Sequence, residues 1–203
     1  MRLLFLLLLL PLLTNSRGLP QSTTLPVTAS FREAYEYVRR FEGNYVNIRL
    51  DRGGETYGGI TRKYNPEWYG WRYVDKYPNI RHTFVPEAEF WVMDYYLTIW
   101  VKEGFYKIKN QQVANYLFDM RVHLSKYRAI DMLGKLGVDV DDESEWVPDD
   151  RWEWEGGQWV KISINNIDLE KLSEVRKRYY LRIVERSPHQ KIFIKGWLKR
   201  ITT

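Results

Sequence analysis

Apolar positions recur at helical spacing from residue 31 onward. Phe31, Ala34, Tyr35, Val38 and Phe41 share one stripe, the pattern of an amphipathic helix. Ser30 precedes the stripe and Glu33 stands three positions further on, which together make a capping box. Gly43 is expected to end the helix. Glu42 then falls in the last turn, where the helix dipole disfavours a negative charge and Lys or Arg would be the structural choice. A residue that breaks a local rule in this way is a candidate for function. The next segment alternates instead: Tyr45 to Leu50 and Glu55 to Thr61 flank Asp51-Arg52-Gly53-Gly54, which predicts a small β-hairpin. Gly58-Gly59 signals a close backbone approach or unusual dihedrals. Residues 65–80, with Trp68, Tyr69 and Trp71, show no period.

Pro86 suits the first position of a second helix running to about Lys102, with Phe90, Met93, Leu97 and Trp100 as its expected inner face. Residues 110–123 predict a third, with Val113, Ala114, Leu117 and Phe118 inward, and residues 125–136 a fourth, stopped by Gly137. The stretch 139–157 is acidic, carries Trp146, Trp152 and Trp154, and is not helical in pattern. Asp168 caps a last long helix on which Leu169, Leu172, Val175, Tyr179 and Ile183 fall at spacings of three or four, with Pro188 beyond its end and Phe193, Gly196 and Trp197 in the tail. No internal repeat is visible. The expected fold is mainly α, of the α+β kind, with a small β-hairpin beside a cleft.

The N-terminus changes the picture of where the protein works. Arg2 is followed by an apolar run from Leu3 to Leu13 and a polar exit to Gly18. This is the order of a secretory signal, and the run is well short of the roughly 20 residues that span a bilayer. Residues 1–18 are therefore expected to be a signal peptide and 19–29, rich in Pro, Ser and Thr, a linker. Export to the periplasm or the exterior follows, with a membrane-tethered form as the other option and otherwise only transient membrane contact. A signal ending near Arg17 would take Arg2 and Arg17 from the formal charge of +5, leaving +3. A mildly basic exported protein suits a polyanionic envelope. Its scattered basic residues and lack of a recognition motif argue against nucleic acid. With no cysteine, an exported chain of this length must rely on its core alone.

Candidate chemistry converges on one stretch. Asp51 lies nine positions after Glu42, and Thr56 five after Asp51, so a helix end followed by a hairpin can fold all three toward one cleft. Glycosidic cleavage needs such a set. One carboxylic acid protonates the leaving oxygen, while a second carboxylate stabilises the developing positive charge or activates water. The acid must hold its proton near neutral pH, which calls for apolar surroundings; Glu42 is flanked by Phe41 and Tyr45. Asp51 sits in a polar turn, and Thr56 is placed to hold the attacking water. Read without any relative, Glu42 as a solvated residue, Asp51 as a turn former and Thr56 as an ordinary strand residue stay open.

The residues Glu42-Gly43-Asn44-Tyr45 and Asp51-Arg52-Gly53-Gly54-Glu55-Thr56-Tyr57-Gly58-Gly59-Ile60-Thr61 resemble the signature of glycoside hydrolase family 108, the muramidases of phages and bacteria. That signature is a Glu-Gly-Gly-Tyr-like helix end followed by Asp-x-Gly-Gly-x-Thr-x-x-Gly-Ile; Asn44 departs from it. Tyr95-Tyr96 with Trp100, and Phe118-Asp119, are similar to later family segments. Val122-His123 stands where the family has Val-Asn. Phe193 with Gly196-Trp197 is similar to the close of an associated C-terminal peptidoglycan-binding region.

The resemblance implies a lysozyme-like fold and hydrolysis of the β-1,4 bond between N-acetylmuramic acid and N-acetylglucosamine. It implies Glu42 as catalytic acid and Asp51 and Thr56 as its partners. In a chain that is 16% aromatic, Tyr45, Tyr57, Trp68, Trp71 and Trp100 are the rings expected to line a sugar groove, because flat aromatic faces stack on sugar rings. The corresponding division is a catalytic domain at 30–124 and a helical peptidoglycan-binding region at 125–203 with an acidic, Trp-rich insert. Peptidoglycan glycan strands are the expected partner, and a monomer the expected state.

No cofactor and no metal are expected. His82, His123 and His189 are scattered, and Asp139, Asp141, Asp142 and Glu143 lack the EF-hand spacing. Trp146, Trp152, Trp154 and Trp159 read better as packing on a small hairpin than as sugar platforms. Two rival functions stay open: a lytic transglycosylase, against which Asp51 and Thr56 speak, and a non-catalytic peptidoglycan-binding protein.

Overall fold

In the computed structural model, residues 28–47, 53–77, 83–138, 151–155 and 158–201 are described, the stretches within 151–162 by their backbone alone. The expectations for residues 1–18, for most of the linker, for Asp51 and for the acidic stretch 139–150 lie outside the described residues.

The first helix, α1 (Phe31–Arg39), starts where Ser30 caps it by accepting from Glu33 N at 3.4 Å. Only half of the expected box forms. The Ser30 amide donates to Gln111 Oε1 at 2.6 Å, which ties the start of α1 to the start of a later helix. The helix also ends before Gly43, because residues 40–41 tighten into a turn in which Phe41 N donates to Val38 O at 2.9 Å. Glu42 is thus just beyond the helix, although its own amide still donates to Val38 O at 3.2 Å.

Three short strands follow, β1 (Tyr45–Asn47), β2 (Glu55–Tyr57) and β3 (Ile60–Thr61), paired antiparallel in that order. Tyr45 faces Tyr57 and Thr56 faces Thr61 across the ladders. The predicted hairpin is therefore a three-stranded sheet, turned between β2 and β3 at Gly58 and Gly59, whose φ values of 55° and 82° favour glycine. A single helical turn, α2 (Trp71–Val74), interrupts the aromatic stretch that showed no period.

Helix α3 (Pro86–Lys102) has the predicted bounds, and of its predicted inner face only Trp100 is buried. Ala88, Val92, Tyr96 and Trp100 are buried, whereas Phe90 is 63% exposed, Met93 44% and Leu97 41%. Apolar residues occupy both sides of this helix, so periodicity could not choose between them. The small Ala88 and Val92 are what allow close packing; an added Cβ at Gly58 would meet Val92 Cγ2 at 2.8 Å.

Helix α4 (Gln111–His123), capped by Asn110, buries Val113, Ala114, Leu117 and Phe118 as expected. Phe118 forms the hub of an aromatic cluster, with ring centroids 5.1 Å from Phe105, 5.3 Å from Trp100 and 6.2 Å from Tyr96. Helix α5 (Lys126–Gly134) is capped by Ser125. The strands β4 (Arg151–Glu155) and β5 (Gln158–Ile162) pair as an antiparallel hairpin. Helix α6 (Leu169–Arg186), capped by Asp168, then leads through a 3-10 segment to α7 (Ile194–Lys199). Ile164 and Leu172 belong to the same core cluster as Phe118 and Val38, so residues on both sides of position 124 share one interior.

Candidate active site

Glu42 is held from two directions. Its carbonyl accepts from Arg39 Nη1 at 3.0 Å, and Arg39 is itself locked by a two-point pair with Glu89 at 2.7 and 3.1 Å. Its side-chain Oε1 accepts from Arg200 Nη2 at 2.9 Å, and the same nitrogen reaches Phe41 O at 3.3 Å. Oε2 lies over Gly59, where an added Cβ would come within 2.9 Å of it and would overlap the Tyr96 hydroxyl. That hydroxyl donates to Gly58 O at 2.7 Å. Burial, then the neighbouring Glu42 charge, holds its pKa well above the ordinary tyrosine value, so it stays a donor and fixes the glycine turn.

Behind Arg200 runs a buried chain of charge. Arg200 Nη1 donates to Asp119 Oδ1 at 2.7 Å, and Asp119 Oδ2 accepts from Arg176 Nη2 at 2.7 Å. Asp119 and Arg176 have no exposed side-chain surface. The Arg176 guanidinium lies between the rings of Tyr116 and Tyr180, 5.4 and 5.6 Å from their centroids, and its Nε donates to the Tyr180 hydroxyl at 2.8 Å. Burial opposes the charge on Arg200, but Glu42 and Asp119 outweigh it and keep the guanidinium charged.

A cleft of about 580 Å³ opens at Glu42, and Thr56, Thr61, His123, Phe193 and Trp197 also line it. A second hollow of about 390 Å³ shares His123, Phe193 and Trp197 with it and continues past Arg128 and Tyr179. Burial, then the positive charges of Arg200 and Arg176, depresses the His123 pKa well below the ordinary histidine value, so His123 is neutral at pH 7.

Of the residues expected at the site, Glu42 and Thr56 meet in the cleft, with Thr56 Oγ1 donating to Gly54 O at 3.2 Å. Asp51 lies outside the described residues. Three of the expected sugar-facing aromatics need correction, while Tyr45 and Trp68 are half-buried. Tyr57, Trp71 and Trp100 are buried in the core, with 0%, 3% and 3% exposure, and have no face left for a sugar. Trp68 stacks on Tyr57 and donates to Trp91 O at 3.2 Å, and Tyr45 donates to Glu55 at 3.1 Å. The reason is packing: Trp100 lies against Phe105 and Phe118 in the helical core, and Tyr57, Trp68 and Trp71 pack on one another beside the sheet. The rings at the cleft are Phe41, Phe193 and Trp197.

Arg200, Asp119 and Arg176 carry little signal of a site role in the sequence, because charges at helix spacing normally face solvent. The one available signal was Asp119, a carboxylate flanked by the apolar Phe118 and Met120 on a helix. Among the described residues, no group of three or more His, Asp or Glu side chains converges in a way that would hold a metal ion.

A helical body, a small antiparallel sheet and a cleft with a glutamate just after the first helix define an α+β, lysozyme-like protein. The fold is similar to that of Brucella abortus SagA, with a TM-score of 0.54 over 85% of this chain and 89% of that one at 22% identity. Residues 35–124 match the family model described as glycosyl hydrolase 108, the family that the Glu42–Thr61 motif resembled. That span holds Glu42, Thr56, Gly59 and Asp119, and a glycoside hydrolase is the function it supports. The likeness of residues 193–197 to a peptidoglycan-binding region falls outside the matched span. No curated protein matches the chain.

Proposed function

We propose that the protein is an exported peptidoglycan muramidase that hydrolyses the β-1,4 bond between N-acetylmuramic acid and N-acetylglucosamine. The observation that carries this reading is that Glu42 and Thr56 line one cleft within the span that matches a glycoside hydrolase family. Two adjoining hollows with Phe193 and Trp197 in their common wall favour a polymer over a small glycoside, since aromatic faces suit the apolar faces of sugar rings.

Glu42 gives its proton to the glycosidic oxygen as the C1–O bond breaks and the bonding pair leaves on that oxygen. A water held by Thr56 loses its proton to Asp51 and adds to C1 from the opposite face, which inverts the anomeric centre. Export, action as a monomer, and a role in wall docking for the C-terminal region belong to the same proposal.

The test is clearing of purified sacculi by the chain without residues 1–18 and by its Glu42→Gln form. The substitution is expected to cost about a hundredfold or more in rate, with cooperative urea unfolding retained. Clearing at full rate by Glu42→Gln refutes Glu42 as the acid. Binding of sacculi without clearing by the unaltered chain makes it a wall-binding module. Products ending in 1,6-anhydro rings make it a transglycosylase, and retention of the anomeric centre refutes the inverting course.

A further inference from the structure

We propose that Arg200, almost the last residue of the chain, is a positioning residue for the reaction at Glu42, and that Asp119 and Arg176 exist to hold it there. The inference rests on the reading of Glu42 as the general acid.

Three observations carry it. First, Arg200 holds one carboxyl oxygen only: Oε1 accepts from Nη2 at 2.9 Å, while Oε2 lies over the bare backbone of Gly59. A neutral carboxyl group has one carbonyl oxygen and one hydroxyl. Whenever the carboxyl takes up a proton, Oε1 faces a donor that has no acceptor capacity, so that proton belongs on Oε2. The clamp therefore selects which oxygen carries the transferable proton. Second, the guanidinium favours the carboxylate over the acid and is already in place, so the charge left on Glu42 as its proton departs meets a fixed positive charge without reorganisation. Third, Arg200 is oriented by a buried carboxylate, Asp119, that is itself fixed by a second arginine. Asp119 is fully buried, and its two oxygens divide between Arg200 and Arg176 at 2.7 Å each. Burying three such charges is costly unless each is paired, and a simple helix contact would not need them.

The arrangement spans the chain. Glu42 follows α1, Asp119 lies on α4, Arg176 on α6 and Arg200 just after α7. The C-terminal segment is therefore a part of the glycosidase site in addition to any role on the cell wall, and the span 35–124 lacks the residue that orients its acid.

The experiment compares Arg200→Ala, Arg200→Lys, Glu42→Gln and the Arg200→Ala/Glu42→Gln pair in the full chain. Sacculus clearing is measured against substrate concentration, with and without guanidinium chloride in the tens of millimolar, and urea midpoints are measured alongside. The expected result for Arg200→Ala is a loss of about tenfold or more in kcat with KM nearly unchanged, partly restored by added guanidinium. Arg200→Lys, which keeps the charge, falls between. Shifts of the urea midpoint for Arg200→Ala and Glu42→Gln are expected to be non-additive, since the two groups touch.

A KM effect with kcat intact, unimpaired activity of Arg200→Ala, or failure of guanidinium to restore any rate overturns the proposal. If Arg200→Ala does not fold, Arg200→Lys decides: full kcat there overturns it. If the unaltered chain clears no sacculi, the muramidase reading fails. The midpoint cycle then still decides whether Arg200 positions Glu42, with additive shifts counting against it.

Discussion

At the scale of the residue, the site depends on positions where no other side chain fits. Gly59 combines a φ of 82° with contact to Tyr96 and to the Glu42 carboxyl. Gly59→Ala is expected to cost about 1–3 kcal/mol through backbone strain and to push Glu42 off its clamp. Urea unfolding and sacculus clearing measured together should both fall, and a loss of neither would mean that the turn can relax. Asp119 is the other such position. Asp119→Ala would leave Arg176 and Arg200 buried without their shared partner, a change worth about 3–5 kcal/mol, and the unfolding midpoint should drop accordingly. His123 sets a pH dependence. Its pKa is depressed in the folded protein, so the unfolded chain binds the extra proton first as pH falls. Stability is then full above the unfolded histidine value near 6.5 and declines below it, by at most about 1.4 kcal/mol per pH unit. His123→Asn should flatten this part of a pH series of melting curves.

At the scale of the element, α3 shows how burial is decided by neighbours. Val92 touches the Gly58 turn, while Leu97 on the opposite side is 41% exposed. Val92→Ala should cost about 2 kcal/mol in urea unfolding, and Leu97→Ala should stay within about 0.5 kcal/mol. The reverse order would restore the inner face expected from the periodic pattern. Helix α1 does a different task. It is tied at its start to Gln111 and at its end, through Arg39, to Glu89, so the peptide that carries Glu42 leaves a helix fixed at both ends.

At the scale of the whole molecule, the cleft is built by closing the chain on itself. Its walls come from the turn after α1, the small sheet, the end of α4 and the segment through α7. Tyr180, with its hydroxyl pushed up to about 12 by burial, remains a neutral partner for Arg176 across the neutral range. Residues before and after position 124 share one interior, and Arg200 reaches the Glu42 carboxyl across 158 positions of the chain.

Caps and turns were legible in the sequence because their physics is local. Ser30 and Asp168 accept bonds from amides three residues away, and Gly58-Gly59 declared its unusual dihedrals by composition alone. The Glu42–Thr56 pair was legible for a similar reason, since a helix end and a strand a few residues later have little choice but to meet. What only the tertiary structure decided was which apolar stripe of α3 faces inward, which aromatic rings keep a free face, and which distant arginine reaches the glutamate. Each of those depends on partners far away in the chain, and a buried charge looks like any surface charge until the opposing element is in place.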